Sequence, residues 1–301
     1  MSYRRRRRRG PSVPLLLAGL VVCAGLLIAP SLTRALRSDH QPDPTAASSA
    51  EPSPSITPTT PVQTADTEAS PSPSPEAAPT TSPAAKFDYS QPAPETEAVD
   101  MSYFSDALFI GDSRTEGLQL YSGIEGATFF CYKGITIFDV MKDDPKKLID
   151  IDGTSYSIVD ALTHESGKFK KVYISLGINE LGYYDDQGFH DKFAALIDHI
   201  RATQPDAIIY LQNQVPVNPT LCAKNWPSYV NNDKVAVYNS IFSQLAVEKE
   251  VVLLDVATAL STPEGILAQE NTVDGVHFTK SWYQEWLSYL MCHTVDPDTL
   301  S

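Results

Sequence analysis

The sequence of 301 residues predicts an α/β protein: a three-layer α/β/α domain with a central parallel sheet, preceded by a transmembrane helix and a disordered linker. The sheet is predicted by short apolar runs that have the length of buried strands. Five such runs occur, at Ala107–Ile110, Ala127–Tyr132, Val172–Leu176, Ala207–Leu211 and Val251–Leu254. The transmembrane helix and the linker are predicted by the composition of the first hundred residues, which differs sharply from that of the rest.

The segments between the apolar runs have the spacing of amphipathic helices. Residues 188–204 and 233–250 place apolar side chains three or four positions apart, which puts them on one face of a helix. Alternating strands and helices favour right-handed crossovers, a parallel sheet and helices on both of its faces. Ligands of such sheets bind beyond the carboxyl ends of the strands, so we expect functional residues directly after the apolar runs.

The first 30 residues have the pattern of a signal anchor. Residues 1–12 contain the unbroken basic run Arg4–Arg9, and residues 13–30 are apolar and just long enough to span a bilayer. The excess of positive charge before the apolar segment favours a cytoplasmic N-terminus and a single-pass membrane protein. A cleaved secretory signal is the alternative. Both interpretations place the remainder of the chain outside the cytoplasm.

Residues 31–100 are predicted to be a linker without folded structure. Thirteen of the 23 prolines lie between residues 42 and 94, and no aromatic residue occurs in residues 4–86. Such a segment buries too little apolar surface to offset the entropy lost on ordering. In polyproline conformation, residues 38–86 reach on the order of 100 Å or more, which suits a spacer across a cell-wall layer. A disordered stalk of no particular reach is the alternative. Residues 101–301 remain for one folded domain.

Charge and cysteine content exclude several classes of protein. The net charge is −14, and residues 101–301 carry 27 acidic against 14 basic side chains. Nucleic-acid binding depends on Lys and Arg contacts with phosphates, so we expect no nucleic-acid partner. The four cysteines include no CxxC pair, and the aspartate pairs at 143–144 and 185–186 lack calcium or zinc spacing. We therefore expect no metal and no cofactor, while a disulfide between Cys222 and Cys292 stays open.

A serine follows the first predicted strand. Ser113 lies in a Gly-Asp-Ser turn at the start of the next helix. Free N–H groups at a helix start can stabilise an oxyanion, so a serine at this position suits a nucleophile. The alternative is a helix N-cap, a common role of a serine after a strand. The turn does not have the G-x-S-x-G pattern, because the next glycine is Gly117.

The best candidate for a base is His277, in a glycine-containing loop after the last predicted strand. Asp274 precedes it by three residues, close enough on a tight loop to hold the imidazole in one tautomer. His164 and Asp160 have the spacing of an ordinary helical pair, and His199 lies within a predicted helix. An incidental aspartate and histidine in a surface loop is the alternative interpretation of Asp274 and His277.

Two further predicted strands end in residues suited to bind negative charge. Asn179 follows the run that ends at Leu176, and its side-chain amide can donate a hydrogen bond to an oxyanion. Gly134 follows the second run, and its N–H can donate as well. Turn formation alone also explains both residues. All the candidate groups nevertheless fall at strand ends on the same predicted side of one sheet.

The order of these groups along the chain resembles the SGNH (GDSL-type) hydrolase family. That family uses a serine in a Gly-Asp-Ser block, a glycine, an asparagine in a Gly-x-Asn-Asp block and a terminal Asp-x-x-His. The corresponding residues here are Ser113, Gly134, Asn179, Asp274 and His277. The resemblance implies a flavodoxin-like sheet, Ser113 as nucleophile, and His277 as general base oriented by Asp274. It also implies an oxyanion hole formed by the N–H groups of Ser113 and Gly134 and by the Asn179 amide.

Two positions depart from the family pattern. Arg114 replaces the leucine of Gly-Asp-Ser-Leu, and Glu180 replaces the aspartate of the asparagine block. Neither change removes a catalytic atom. Together with Asp112, these residues are candidate substrate-binding residues, and Arg114 in particular is a candidate to contact an anionic group.

The chemistry implied by the resemblance is acyl transfer from an ester through an acyl-serine. Combined with the anchor and the linker, it predicts a membrane-anchored serine esterase outside the cytoplasm, acting on a small ester or an acetylated glycan of the cell envelope. One alternative is an O-acetyltransferase with the same triad, supplied with acyl groups by a multi-span membrane partner. The other alternative is a catalytically silent domain that binds wall polymer.

Overall fold

The computed structural model describes residues 86–143 and 145–300, and its centre is a five-stranded parallel sheet. The strands of this part of the chain are β1 (Ala107–Gly111), β2 (Thr128–Cys131), β3 (Ile149–Ile151), β4 (Thr154–Tyr156), β5 (Lys171–Ser175), β6 (Ile208–Gln212) and β7 (Val252–Leu254). The sheet has the order β2-β1-β5-β6-β7, the arrangement of flavodoxin-like sheets. All neighbouring strands in it are parallel, which confirms the predicted α/β domain with a central parallel sheet. The five predicted apolar runs are its five strands.

An aromatic ladder crosses four strands on one face of this sheet. Phe129, Phe109, Tyr173 and Tyr210 are paired in register on β2, β1, β5 and β6. Neighbouring rings stack with centroid distances of 4.9, 4.6 and 4.6 Å. Stacked cross-strand aromatic pairs stabilise a sheet beyond the burial of their area. The ladder therefore helps to fix the register that sets the strand ends beside one another.

Helices cover both faces of the sheet. They are α1 (Ser113–Tyr121), α2 (Ile137–Val140), α3 (Ile158–His164), α4 (Asp186–Thr203), α5 (Pro219–Asn225), α6 (Asn232–Glu248), α7 (Val256–Ala259) and α8 (Lys280–Cys292). Because alternate strand residues point to opposite faces, two buried apolar clusters form. One contains side chains of α3, α4 and α6, and the other contains side chains of α1, α7 and α8. The helices predicted at 188–204 and 233–250 correspond to α4 and α6.

A small antiparallel hairpin, β3–β4, lies apart from the main sheet and was not predicted from the sequence. Its two-residue turn consists of Asp152 and Gly153, which have φ angles of 50° and 80°. Positive φ at both central residues is what a type I′ hairpin turn requires. The hairpin strands are short and largely exposed, so they lack the apolar pattern that predicted the main sheet.

Residues 86–100 pack on the domain, although the linker was expected to extend to residue 100. The N–H of Ala93 donates to the carbonyl of Leu253 at 2.8 Å, and that of Val99 donates to the carbonyl of Met291 at 3.0 Å. Ala93 is buried. These contacts supply the backbone partners that a proline-rich segment lacks on its own. The folded part of the chain therefore begins before residue 101.

The predicted segments 1–12 and 13–30, and residues 31–85 of the predicted linker, lie outside the described residues. In the part of the chain that is described, no helix combines the length and the apolar character needed to cross a bilayer. The cysteines in this part, Cys131, Cys222 and Cys292, are free thiols. The disulfide between Cys222 and Cys292 that the sequence left open is therefore not formed.

Candidate active site

Ser113 is the first residue of α1 and directly follows the strand at which the sheet order reverses, the usual ligand position in such sheets. Asp112, not Ser113, is the helix N-cap, and its carboxylate accepts a hydrogen bond from the N–H of Arg114 at 2.9 Å. The turn is tight, because a Cβ on Gly111 would lie 1.8 Å from the hydroxyl of Thr115. The Ser113 side chain is thus not used as a cap and is partly exposed.

Ser113, His277 and Asp274 form a continuous hydrogen-bonded chain. The Oγ of Ser113 lies 2.9 Å from Nε2 of His277, and Nδ1 of His277 lies 2.7 Å from Oδ2 of Asp274. An ionised carboxylate only accepts hydrogen bonds, so Nδ1 carries the proton and donates it to Asp274. Nε2 is then an acceptor for the Ser113 hydroxyl. This is the arrangement of a nucleophile, a general base and an orienting carboxylate.

The Asp274 carboxylate is held in its ionised form. Its Oδ1 accepts hydrogen bonds from the backbone N–H groups of Val276 and His277, at 2.9 and 2.8 Å. Partial burial opposes ionisation, but these N–H donors and the His277 ring together lower the pKa of Asp274 below its ordinary value. Asp274 therefore orients His277 through one oxygen while its other oxygen is fixed by the backbone.

Neighbouring side chains fix the backbone of the loop that carries Asp274 and His277. The carbonyl of Asp274 accepts hydrogen bonds from Nδ2 of Asn225 and Nε1 of Trp226, both at 3.1 Å. The hydroxyl of Thr272 donates to the carbonyl of His277 at 2.6 Å. The Trp226 ring also lies against the His277 ring, with 5.8 Å between centroids. The base is thus held by side-chain contacts on both sides of the loop.

Arg114 was expected to contact substrate, and this expectation is wrong because its side chain is 2% exposed. Its Nε donates to the carbonyl of Val276 at 3.0 Å, and its Nη1 donates to the carbonyl of Val215 at 2.8 Å. The guanidinium carbon lies 4.8 Å from the centre of the Phe278 ring. Arg114 is therefore a positioning residue that ties the loop of the base to the segment after β6.

Asp112 and Glu180, the other two candidate substrate contacts, are also buried and do not line the cleft beside Ser113. Burial raises the pKa of Asp112 to about 6 and that of Glu180 to about 8. One oxygen of Glu180 accepts the N–H of Ile137, and the other has no hydrogen-bond partner among the described residues. Glu180 is therefore largely neutral at pH 7. Both carboxyls support the site from within the protein, which corrects their expected role.

The residues expected to form the oxyanion hole lie at neighbouring strand ends. Gly134 has a φ angle of 70° in the turn from Tyr132 to Ile135, which follows β2. The N–H of Tyr132 donates to the carbonyl of Gly111 at 3.2 Å, which ties this turn to the end of β1. The Asn179 amide donates to the carbonyl of Ile135 at 2.9 Å. Because an amide nitrogen has two protons, a second one remains for an oxyanion.

An open cleft of about 350 Å³ borders Ser113 and His277. Its lining includes Lys133, Lys280 and Glu116, none of which the sequence analysis singled out. The sequence signal was available for the two lysines, since Lys133 is adjacent to Gly134 and Lys280 comes three residues after His277. In a domain with an acidic excess, these two lysines and the single Glu116 give the cleft lining a small excess of positive charge.

The remaining histidines of the described residues contact other parts of the fold. Their partners are Tyr156 for His164, Glu248 for His190, Thr163 for His199 and Tyr289 for His293. Across residues 86–143 and 145–300, no group of three or more His, Cys, Asp or Glu side chains is arranged to hold a metal ion. Among the described residues, the candidate reactive centre is therefore the hydrogen-bonded group around Ser113.

A serine hydrogen-bonded to a histidine that is oriented by a carboxylate, at the switch point of a parallel sheet, defines the class of serine hydrolases. The sequence model of the GDSL-like lipase/acylhydrolase family matches residues 109–285, a range that contains all three of these residues. The chain belongs to this family, and it is a serine ester hydrolase. The resemblance to SGNH (GDSL-type) hydrolases is thereby confirmed.

Solved structures similar to the chain have low sequence identity to it. A GDSL-like lipase from Bacteroides thetaiotaomicron is 15% identical, with a TM-score of 0.46 over 63% of this chain and 86% of that one. Phospholipase A1 from Streptomyces albidoflavus is 13% identical, with a TM-score of 0.41 over 62% and 98%. A peptidoglycan O-acetylesterase is 16% identical, with a TM-score of 0.42 over 55% and 45%. No curated protein sequence matches the chain significantly.

Proposed function

We propose that the protein is a membrane-anchored esterase outside the cytoplasm that removes O-acetyl or similar ester groups from glycans of the cell envelope. The observation that carries the reaction is the hydrogen-bonded chain of Ser113, His277 and Asp274 at an open cleft. The location and the substrate are supported by the sequence before the domain.

In the first half of the reaction, Oγ of Ser113 attacks the ester carbonyl carbon while Nε2 of His277 takes the hydroxyl proton. The carbonyl oxygen becomes an oxyanion, which is stabilised by N–H groups at the start of α1, by Gly134 and by the Asn179 amide. The bond from carbon to the sugar oxygen then breaks, and His277 gives its proton to that oxygen. The sugar leaves as an alcohol, and the acyl group remains on Ser113.

In the second half, water enters the open cleft and attacks the acyl carbon while His277 takes one of its protons. The bond between the acyl carbon and Oγ of Ser113 breaks, and His277 returns the proton to Oγ. The product is a carboxylic acid, acetic acid for an O-acetyl substrate. In both halves, Asp274 stabilises the imidazolium form of His277, which requires the ionised carboxylate that its lowered pKa provides.

The N-terminal sequence supports an envelope substrate. The basic residues 1–12 and the apolar residues 13–30 fit a signal anchor with the domain outside the cytoplasm. The composition of residues 38–85 is typical of an extended linker, and a linker of this length would hold the domain on the order of 100 Å from the bilayer. An enzyme held at this distance from the bilayer is within reach of the polymers of the cell wall. This location favours an ester of a wall glycan as the substrate over a small soluble ester.

The first experiment compares the full-length chain with its Ser113→Ala variant in the hydrolysis of p-nitrophenyl acetate. We expect the substitution to abolish hydrolysis, because no other group of the site forms the acyl intermediate. Ser243→Ala, an exposed serine on α6, is the matched control and keeps the wild-type rate. Equal rates for the wild type and Ser113→Ala would refute the mechanism.

The second experiment measures products from O-acetylated cell-wall glycan. We expect free acetate, released by the wild type and not by Ser113→Ala. Addition of an unacetylated oligosaccharide tests the transferase alternative, because a transferase moves the acetyl group to that acceptor. Acetylated acceptor as the main product would replace the esterase proposal with a transferase.

A further inference from the structure

Exposed apolar side chains of the described residues concentrate around the catalytic centre. Leu120, Tyr121 and Val273 line the cleft beside Ser113, although 40 to 67% of each side chain is exposed. A second group, here called the aromatic rim, lies outside this cleft. It consists of Phe138, Tyr183, Tyr184, Trp226 and Tyr229.

One end of the aromatic rim begins at the base. Trp226 lies against the ring of His277, and Tyr229 comes three residues later in the same loop. Tyr229 packs on Gly182, where an added Cβ would lie 3.0 Å from its ring carbons. Gly182 follows Asn179 by three residues, so the rim passes from the base to the segment of the expected oxyanion donor.

The other end of the aromatic rim reaches the turn that contains Gly134. Tyr183 directly follows Gly182, and its ring stacks on that of Phe138 with 4.9 Å between centroids and 12° between planes. Phe138 lies in α2, directly after that turn. The aromatic rim therefore borders the catalytic centre along the residues that are expected to form the oxyanion hole.

The tyrosines of the rim are not explained by folding. Tyr183 and Tyr229 are nearly half exposed, and Tyr184 is 94% exposed. Apolar surface stabilises the fold only when it is removed from water, so Tyr184 contributes almost nothing to stability. It has no hydrogen bond or ring contact with the rest of the described chain. A contiguous exposed patch beside an active site is typical of an interaction surface.

The chemistry of the rim favours an uncharged sugar over a lipid or an anionic polymer. A tyrosine ring offers an apolar face for the C–H groups of a pyranose, while its hydroxyl stays hydrated. Asp185 and Asp233, both exposed, flank the rim at the starts of α4 and α6. Asp186 is paired with Lys234, which neutralises that lysine. These carboxylates oppose an anionic polymer or an anionic membrane surface at the rim, whereas Lys133 and Lys280 lie on the separate cleft beside Ser113.

We propose that the aromatic rim is a subsite on which uncharged sugar rings of a polymeric substrate stack while a neighbouring ring presents its ester to Ser113. The inference rests on the proposed function and adds a specific binding surface to it. Stacking remote from the ester supplies binding energy that a small ester lacks. The enzyme is therefore selective for polymeric over small esters, and this selectivity depends on Tyr183 and Tyr184.

The first test compares two substrates, O-acetylated cellohexaose and p-nitrophenyl acetate, with the full-length chain. In the Tyr183→Ala/Tyr184→Ala variant, the ratio of kcat/KM for the hexamer to kcat/KM for the small ester falls about tenfold, mainly through KM. Tyr184→Phe keeps the ring and the ratio. Val247→Ala, exposed at the far end of α6, is the control. An unchanged ratio in the double variant would overturn the proposal.

The second test measures binding without turnover, with unacetylated cellohexaose and the Ser113→Ala variant in a calorimeter. We expect binding that weakens about tenfold when Tyr183→Ala and Tyr184→Ala are added. No binding, or the same affinity with and without these two substitutions, would overturn the proposal. Rim-dependent binding to phosphatidylglycerol vesicles without binding to the hexamer would assign the rim to a membrane instead. Failure of the hydrolysis mechanism leaves this binding result unaffected, so the two proposals fail separately.

Discussion

The two sides of the catalytic centre are held in different ways. On the base side, the Asp274 carboxylate accepts three hydrogen bonds, two from backbone N–H groups and one from the His277 ring. The carbonyl of Asp274 accepts two more, and the buried guanidinium of Arg114 holds the backbone of the same loop. The loop that orients the base is therefore held at the Asp274 carboxylate, at the Asp274 carbonyl and at the carbonyl of Val276.

The oxyanion side is held through a side-chain amide and a buried carboxyl. Asn179 joins the turn at Gly134 through one hydrogen bond to Ile135, and Glu180 joins α2 through one hydrogen bond from Ile137. Burial raises the pKa of Glu180 to about 8, so it is largely neutral at pH 7, and one of its oxygens has no partner among the described residues. The base side thus contains an ionised carboxylate and a charged guanidinium, whereas the buried carboxyl of the oxyanion side has a raised pKa. Substitutions and changes of pH should therefore affect the two sides differently.

The largest effect is expected on the base side, from Asp274→Asn. The N–H groups of Val276 and His277 require an acceptor at Oδ1, so the asparagine carbonyl takes that position and its NH₂ faces Nδ1 of His277. The NH₂ donates, so Nδ1 must accept, and the proton moves to Nε2. Nε2 then cannot accept the Ser113 proton, and kcat for p-nitrophenyl acetate should fall on the order of 10³- to 10⁴-fold.

The matched control for this substitution is Asp206→Asn, an exposed aspartate paired with Lys170 far from the site. It makes the same chemical change and should leave kcat within twofold of the wild type. Circular dichroism of both variants checks that the fold is retained. If Asp274→Asn kept more than a tenth of the wild-type kcat, Asp274 would not be setting the tautomer of His277.

A smaller effect is expected on the oxyanion side, from Asn179→Ala. Loss of one donor to the oxyanion typically lowers kcat about 100- to 1000-fold, with a smaller change in KM. The lost hydrogen bond to Ile135 also lowers the free energy of unfolding by about 1 kcal/mol. Steady-state kinetics and thermal unfolding measure the two effects separately. Wild-type kcat in a folded Asn179→Ala variant would remove this residue from the oxyanion hole.

Much of the fold could be predicted from the sequence because buried parallel strands leave an unbroken apolar run. Runs such as Val172–Leu176 stand out against polar segments, and the candidate residues at their ends follow from the sheet geometry. The hairpin β3–β4 could not be predicted, since its strands are short and exposed. The packing of residues 86–100 could not be predicted either, because it depends on carbonyls of β7 and α8 distant in sequence.

Some residues of the site could likewise be predicted from the sequence, and others could not. The role of Ser113 could be predicted because this residue follows a predicted strand. The roles of Asp274 and His277 could be predicted because the two residues are only three positions apart in one loop. The sequence predicts substrate contacts for Arg114 and Glu180, because a charged residue beside a catalytic motif is usually exposed. This prediction is wrong. Their burial follows from tertiary contacts: Arg114 reaches carbonyls 101 and 162 positions away. Such partners leave no local pattern in the sequence.

The smallest effect concerns stability, from Glu180→Gln on the oxyanion side. Burial raises the pKa of Glu180 from its ordinary value of 4.5 to about 8 in the folded protein. The folded state therefore binds more protons than the unfolded state between these values, and stability falls as pH rises from about 4.5 to 8. The glutamine is uncharged at all pH values and still accepts the N–H of Ile137. The variant should therefore not show the loss of stability with rising pH that the titration of Glu180 causes.

We expect the free energy of unfolding of Glu180→Gln, relative to the wild type, to rise on the order of 3 kcal/mol between pH 5 and pH 8. Urea unfolding at both pH values measures this difference, and other titrating groups cancel because they are common to both proteins. Glu270→Gln, an exposed glutamate, is the control and should show no such change. Parallel pH dependence of the wild type and Glu180→Gln would mean that Glu180 does not titrate differently in the two states. The contrast between a neutral oxyanion side and an ionised base side would then be wrong.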